Sequence, residues 1–161
     1  MLLQRFWPST CIILLAPLLI AFSCQLGERD TKITVEGDNP PKFNMTGSGT
    51  LDMLRIHGQK VRDAPGDAAF IVWEIVPTAG RLNGKAVEDI QSIIYGRIPE
   101  GYTQTYPRDG TAPVLLEDQN YMVFFQTVEA NGARGSFTIH DGKTVWKPDD
   151  YKQRTLNRNR Q

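Results

Sequence analysis

Polar and apolar residues alternate along several short segments of this chain, and such a period of two is typical of a β-strand with one buried face. Residues 32–36 alternate in this way, and residues 120–128 form a longer strand-like segment. Residues 69–76 are almost continuously apolar, which predicts a strand buried on both faces for part of its length. The other predicted strands cover residues 42–46, 51–57, 92–98, 135–140 and 143–146.

Turn-forming residues separate the predicted strands. Asp141-Gly142 indicates a tight hairpin with positive φ at both positions, and residues 99–113 are rich in proline and glycine. Residues 86–92 fit either one helical turn or a loop. Short strands, frequent turns and hardly any helix predict an all-β fold, a single antiparallel β-sandwich of about seven to nine strands, because each sheet must bury one face.

Two features resemble the immunoglobulin-like and fibronectin type III domains. Leu115 precedes Tyr121 by six residues at the start of a predicted strand, as in their tyrosine corner. Trp73 lies in an apolar strand like their buried tryptophan. The resemblance implies that the Tyr121 hydroxyl bonds to the upstream backbone. It also implies an immunoglobulin-like body, which serves binding and spacing roles more often than chemistry.

The N-terminal segment is apolar from residue 11 to residue 23, with Arg5 before it and Cys24 after it. These 13 residues are too short for a membrane-spanning helix, which needs about 20. The order of a basic residue, an apolar run, Ser23 and Cys24 resembles the signal of bacterial lipoprotein precursors. The resemblance implies that residues 1–23 are removed and that Cys24 is acylated. An ordinary secretory signal and an uncleaved anchor are the alternatives.

Lipidation at Cys24 would make the membrane the first partner of the mature chain and place it in the bacterial cell envelope. Gln25 follows the cysteine; in lipoproteins of the enteric type, the absence of Asp there favours the outer membrane. Residues 24–31 are then a lipidated tether, and residues 32–146 the sandwich domain. Residues 147–161 are rich in Lys and Arg. We interpret them as a disordered tail, either a solvated end or a contact for anionic lipid or cell-wall polymer.

Composition and residue spacing limit the kinds of ligand and reaction that we expect for this chain. With 18 basic and 18 acidic residues the chain has no field that favours nucleic acid, so no nucleic-acid partner is expected. Cys11 leaves with the signal and Cys24 carries lipid, which leaves no cysteine for a disulfide, a zinc site or a nucleophile. His57 and His140 have no metal-ligand spacing. We therefore predict no metal, no cofactor and no enzymatic activity.

The most suggestive segment for binding is residues 95–110, where tyrosines and arginines lie among turn residues. Tyr and Arg are enriched at contact surfaces because they combine a large area with a polar group. The candidate ligand-binding residues are Tyr95, Arg97, Tyr102, Tyr106 and Arg108. The competing interpretation is that these tyrosines simply cover the edge of the sandwich.

The expected function is a membrane-anchored envelope lipoprotein with a non-catalytic binding or scaffolding role, with an envelope protein or glycan as partner. One alternative is a glycan-binding module that uses Tyr102, Tyr106 and Trp146. Another is an envelope hydrolase or isomerase, which would need a pocket holding His57 or His140 beside an acid.

Overall fold

The computed structural model describes residues 30–58 and 70–149. The predicted signal, Cys24 and residues 150–161 of the predicted tail lie outside these residues. The described elements, in chain order, are β1 (Thr31–Glu36), β2 (Lys42–Gly47), β3 (Thr50–His57), β4 (Ile71–Pro77), α1 (Val87–Ile90), β5 (Ser92–Ile94), β6 (Tyr102–Tyr106), β7 (Asn120–Val128), β8 (Ala133–His140) and β9 (Lys143–Pro148). Among the described residues, no helix is long and apolar enough to cross a membrane.

The strands form two antiparallel sheets, which confirms the predicted all-β sandwich. The small sheet has the order β1-β2-β5, and the large sheet the order β6-β4-β3-β7-β8-β9.

The tyrosine corner forms as the resemblance implied. Tyr121 is 3% exposed, and its hydroxyl oxygen accepts a hydrogen bond from the Leu116 backbone N–H at 2.8 Å. Leu115, one residue before the donor, is 2% exposed. The corner therefore fastens the segment before β7 to the start of that strand.

The hairpin at Asp141-Gly142 also forms as predicted, with φ of 50° and 70°. It joins β8 to β9, and the backbone around it contacts the turn that follows β1 of the other sheet. The Asn39 N–H donates to the Gly142 carbonyl at 2.9 Å, and the Thr144 N–H donates to the Gly37 carbonyl at 3.0 Å. These bonds join the two sheets along one edge of the sandwich.

Several predicted boundaries need correction. The strand predicted over residues 92–98 ends at Ile94, because the chain turns through Tyr95 and Gly96, whose φ is 75°. The region 99–113, predicted as turns, contains strand β6. The strand that holds Trp73, predicted over residues 69–76, runs from Ile71 to Pro77 as β4. The predicted tail starts too early, since β9 continues to Pro148.

Aromatic side chains fill the core between the sheets. Phe43 from the small sheet meets the edge of Phe137 from the large sheet with ring centroids 5.8 Å apart, and Phe137 stacks on Tyr121 at 5.4 Å. Trp73 is fully buried, and its indole N–H donates to Gln104 Oε1 at 2.8 Å. Burial therefore leaves its one polar atom with a partner.

The direction of the strands gives the sandwich two different ends. The first described residue, Asp30, forms a bridge with Asn131. The last, Asp149, follows Pro148, which pairs with Gly135. We call this the proximal end because both termini of the described domain lie there. The opposite, distal end carries the turns at residues 37–41, 95–99, 107–119 and 141–142.

Candidate functional site

Two of the predicted binding residues, Tyr95 and Tyr102, are largely buried in the core. Tyr95 and Tyr102 are each 6% exposed. The Tyr95 hydroxyl donates to the Pro113 carbonyl at 2.7 Å, and the Tyr102 hydroxyl donates to the Leu51 carbonyl at 3.0 Å. Burial raises the pKa of both hydroxyls. Both hydroxyls fasten a loop to the sandwich, and each side chain leaves only a small part of its area at the surface.

The other three predicted residues remain available at the surface. Arg97 and Arg108 are exposed, and Tyr106 is 41% exposed. Neither arginine forms an ion pair with another described residue. Arg97 lies in the turn after β5, whereas Tyr106 and Arg108 lie where β6 ends. Antiparallel pairing brings both places to the distal half of the sandwich.

Gln104 fixes the turn that carries Arg108. Its Nε2 donates to the carbonyls of Pro107 at 2.8 Å and Gly110 at 2.7 Å, while its Oε1 accepts from the buried Trp73. One amide thus connects the core to both ends of the turn. The position of Arg108 is therefore determined by the fold more closely than is usual for a surface loop.

An open cleft of about 350 Å³ lies at the distal end, between the turn that joins β1 to β2 and the segment before β7. The Asn39 Nδ2 donates to the Leu115 carbonyl at 3.0 Å and holds the two sides together. Tyr95 contributes to the lining, which also includes Pro40, Thr111, Ala112, Pro113 and Val114. A largely apolar lining with a few polar groups is typical of small ligand or peptide sites.

Large apolar side chains are exposed around the same end. Val114 is 80% exposed, Leu116 is 55% exposed and Ile98 is 49% exposed. Exposed apolar groups bordered by polar residues often mark protein contact sites. Sequence reasoning missed the segment 111–116 because it is extended without regular alternation. The available signal was a pair of apolar residues, Val114 and Leu116, in a stretch otherwise rich in turn formers.

The three aromatic residues proposed for glycan binding are not brought together. Tyr102 is buried, and Tyr106 lies on β6 at one edge of the large sheet. Trp146 lies on β9 at the other edge, where its ring covers Gly135. Five strand spacings separate the edges, or about 24 Å. These residues therefore do not form one sugar platform.

A second cleft, of about 310 Å³, lies on the outer face of the large sheet. Its charged groups are already partnered. Arg55 forms an ion pair with Glu74, and Glu74 also accepts a hydrogen bond from the Thr105 hydroxyl at 2.6 Å. Arg81 donates two hydrogen bonds to the buried Asp52. This cleft therefore offers fewer unpaired groups than the distal one.

The two histidines have different surroundings, and neither lines either cleft. His140 Nδ1 is 2.8 Å from Asp118 Oδ1, but both side chains are well exposed. His57 packs against Phe124 with ring centroids 5.0 Å apart. Within the described residues, no group of three or more His, Cys, Asp or Glu side chains is placed to hold a metal ion.

The histidines should titrate in opposite directions from the ordinary value of 6.5. The hydrogen bond to Asp118 and the nearby Asp141 raise the pKa of His140, whereas burial, reinforced by Arg55, lowers the pKa of His57. NMR titration of the two imidazoles measures both values. Asp118→Asn should lower the pKa of His140 and leave that of His57 unchanged. Equal values near 6.5 would contradict the described geometry.

The raised pKa of His140 also determines whether the stability of the folded chain rises or falls with pH. Asp118 favours the protonated His140 in the folded chain, so this contribution is fully present below pH 6.5. It is lost as the pH rises through the raised pKa of the folded state. Since His140 is exposed, the effect is screened by solvent and salt.

Compared with known proteins, the chain matches no protein-family model, no curated protein and no solved structure.

Proposed function

We propose that the protein is a lipid-anchored lipoprotein of the bacterial envelope, attached through Cys24, whose distal end binds a partner protein without catalysing a reaction. The observation that carries the proposal is the difference between the two ends of the sandwich. The chain enters the domain at the proximal end, while the cleft, Arg97 and Arg108 and the exposed apolar side chains lie at the distal end.

The short segment between Cys24 and the domain limits how far the proximal end can lie from the membrane. Asp30 follows Cys24 by six positions, and even a fully extended segment of that length spans only about 20 Å. The proximal end must then stay close to the lipid. Strand β7 has nine residues, or about 30 Å of sandwich, so the distal end projects away from the membrane.

The distal chemistry favours a protein surface as partner. Arg97 and Arg108 supply cations that form no ion pair with another described residue, while Val114, Leu116 and Ile98 supply exposed apolar area. Contact surfaces of proteins combine these residue classes, with arginine enriched. A glycan site is less well supported because Tyr102 is buried and Trp146 lies at the far edge of the large sheet.

Site-specific photo-crosslinking in living cells tests the binding end. A photoreactive residue at position 97 or 114 should give a discrete adduct, because both positions lie at the distal end. The matched control is position 88, which is exposed on α1 at the proximal end. Adducts equally strong at position 88, or no adduct at either distal position, would contradict a distal binding site.

Reversing the charge of the two distal arginines tests the same prediction quantitatively. Arg97→Glu combined with Arg108→Glu should reduce the distal adduct roughly tenfold, as loss of one good arginine contact would. Lys32→Glu combined with Lys147→Glu makes the same change in charge on exposed residues of β1 and β9. This control should keep the adduct, and an equal loss in both variants would indicate a non-specific charge effect.

A further inference from the structure

Residues 111–116 form one side of the distal cleft, and their backbone is bonded to the sandwich at alternate positions. The carbonyls of Pro113 and Leu115 accept side-chain hydrogen bonds from the body of the domain at 2.7 Å and 3.0 Å. Successive peptide groups of an extended chain point to opposite sides. The N–H and C=O groups of Ala112 and Val114 therefore point away from these two bonds.

The outward groups of these two residues form an unpaired strand edge. The backbone of neither Ala112 nor Val114 forms a hydrogen bond with another described residue. Ala112 is partly exposed and Val114 is 80% exposed, so another chain can reach both. An unpaired edge can bind an extended segment of a second protein through main-chain hydrogen bonds, while adjacent pockets receive alternate side chains.

The cleft supplies such a pocket directly beside the edge. A Cβ at Gly96 would lie 3.3 Å from the Ala112 Cβ, so the turn after β5 packs against the segment. The cleft measures about 350 Å³, near the lower limit of ligand pockets. Its size and its largely apolar lining suit one or two apolar side chains better than a whole cofactor.

Two cations adjoin the cleft in the chain. Arg97 follows Gly96, and Arg108 stands three residues before Thr111, in the turn that the Gln104 amide fixes. Neither arginine forms an ion pair with another described residue. Positive groups therefore stand in both segments that form this part of the cleft.

Few acidic side chains compete for these arginines. Within residues 95–116 the acids are Glu100, which pairs with Lys85 at 3.2 Å, and Asp109, which forms no ion pair with another described residue. A guanidinium without a carboxylate partner can bind an incoming carboxylate through two parallel hydrogen bonds. The cleft is therefore suited to a partner segment that carries acidic residues.

We propose that the distal cleft binds an extended, acidic segment of the partner protein, which pairs as a strand with residues 112–114. An apolar side chain of that segment enters the cleft, and neighbouring carboxylates bind Arg97 and Arg108. The proposal rests on the proposed distal binding of a protein and names the chemistry of the contact. A glycan lacks the regular series of N–H and C=O groups with which this edge pairs.

Peptides of defined sequence test each part of this contact on the full chain, purified from bacterial membranes in detergent. The probe is a short fluorescent peptide that alternates glutamate with valine, and fluorescence anisotropy measures its binding. A second peptide has lysine in place of glutamate. Two further peptides are methylated on the backbone nitrogen of every valine or of every glutamate, which blocks strand pairing along one edge or the other.

We expect the glutamate peptide to bind about tenfold more tightly than the lysine peptide, and to bind more weakly as salt screens the arginines. One of the two methylated peptides should lose about tenfold in affinity, because only one edge of the probe faces the protein. No binding of the glutamate peptide, or equal binding of the lysine peptide, would overturn the acidic segment. Full binding of both methylated peptides would overturn strand pairing.

Variants of the chain test the same two contacts from the other side. Val114→Pro removes an N–H that the described fold does not use, so it should keep the thermal midpoint and lose about tenfold in peptide affinity. Val114→Ala keeps the N–H and should lose less; equal losses would overturn strand pairing. Arg97→Gln with Arg108→Gln should abolish the preference for glutamate over lysine, whereas Lys32→Gln with Lys147→Gln should keep it. The arginine variant and the methylated peptides decide the question even where proline disturbs the fold.

Photo-crosslinking in cells separates this proposal from the proposed function. A photoreactive residue at position 98 keeps both arginines, and Val114→Pro should reduce its adduct about tenfold. An adduct that Val114→Pro leaves intact would overturn strand pairing while distal binding stands. Absence of an adduct at positions 97, 98 and 114 would refute distal binding and this proposal together.

Discussion

Replacing Phe137 by alanine is expected to lower the free energy of unfolding by about 3–5 kcal/mol. Phe137 is fully buried on β8 and connects the two sheets. Its ring stacks on Tyr121 at 5.4 Å and meets the edge of Phe43 at 5.8 Å. Removing it takes away both the transfer free energy of the ring and the packing around the tyrosine corner. Because single domains are stable by about 5–15 kcal/mol, the loss is a large fraction of the total.

Urea denaturation of the wild-type and variant domains measures this loss. Phe70→Ala is the matched control, since the same residue type is removed from a position that is 43% exposed. The control should lose much less stability than Phe137→Ala. Equal losses in the two variants would contradict the described core.

Gly84→Ala is expected to destabilise the fold by about 1–3 kcal/mol through a steric conflict. A Cβ at residue 84 would lie 2.0 Å from the Leu51 carbonyl oxygen and 3.0 Å from the Tyr102 hydroxyl. These two groups are hydrogen-bonded to each other, and the Lys85 N–H donates to the same hydroxyl. The backbone carbonyl cannot rotate away as a flexible side chain can, so the loop must move.

Gly110→Ala provides the comparison for this variant. A Cβ at Gly110 would meet no atom within 4 Å, so the substitution should change stability little. Thermal unfolding of both variants measures the difference, and Gly84→Ala should unfold several degrees lower. Similar midpoints for the two variants would show that the 78–86 loop does not pack as described.

The strands with a regular pattern were predictable from the sequence alone. The alternation over residues 32–36 gave β1, and the segment 120–128 matches the bounds of β7. Each of these two strands buries one face, so apolar and polar residue types alternate along it with a period of two. The Asp141-Gly142 hairpin was predictable for a local reason too, because its backbone requires positive φ.

Strand β6 was not predictable in the same way. Thr103, Gln104 and Thr105 are polar, and the strand lies at a sheet edge between turn formers. It is extended because it pairs with β4, and that pairing depends on residues about 30 positions earlier. A pattern read over a short window does not contain this information.

The residues of the candidate site were also only partly predictable from the sequence. A tyrosine has an apolar ring and a polar hydroxyl, so the sequence does not distinguish one that faces a ligand from one that bonds to a buried carbonyl. Tyr95 and Tyr102 take the second role, whereas Tyr106 stays 41% exposed. The distal cleft is built from three separated segments, so its existence depends on the topology that brings them together.

Mass spectrometry of the protein extracted from bacterial membranes tests whether the sandwich is anchored through Cys24 at its proximal end, as we propose. We expect a mature chain that begins at Cys24 and carries an acyl-sized mass addition on that residue. This modified form should be absent when Cys24 is replaced by alanine. An unmodified mature chain recovered from the soluble fraction would contradict the anchor.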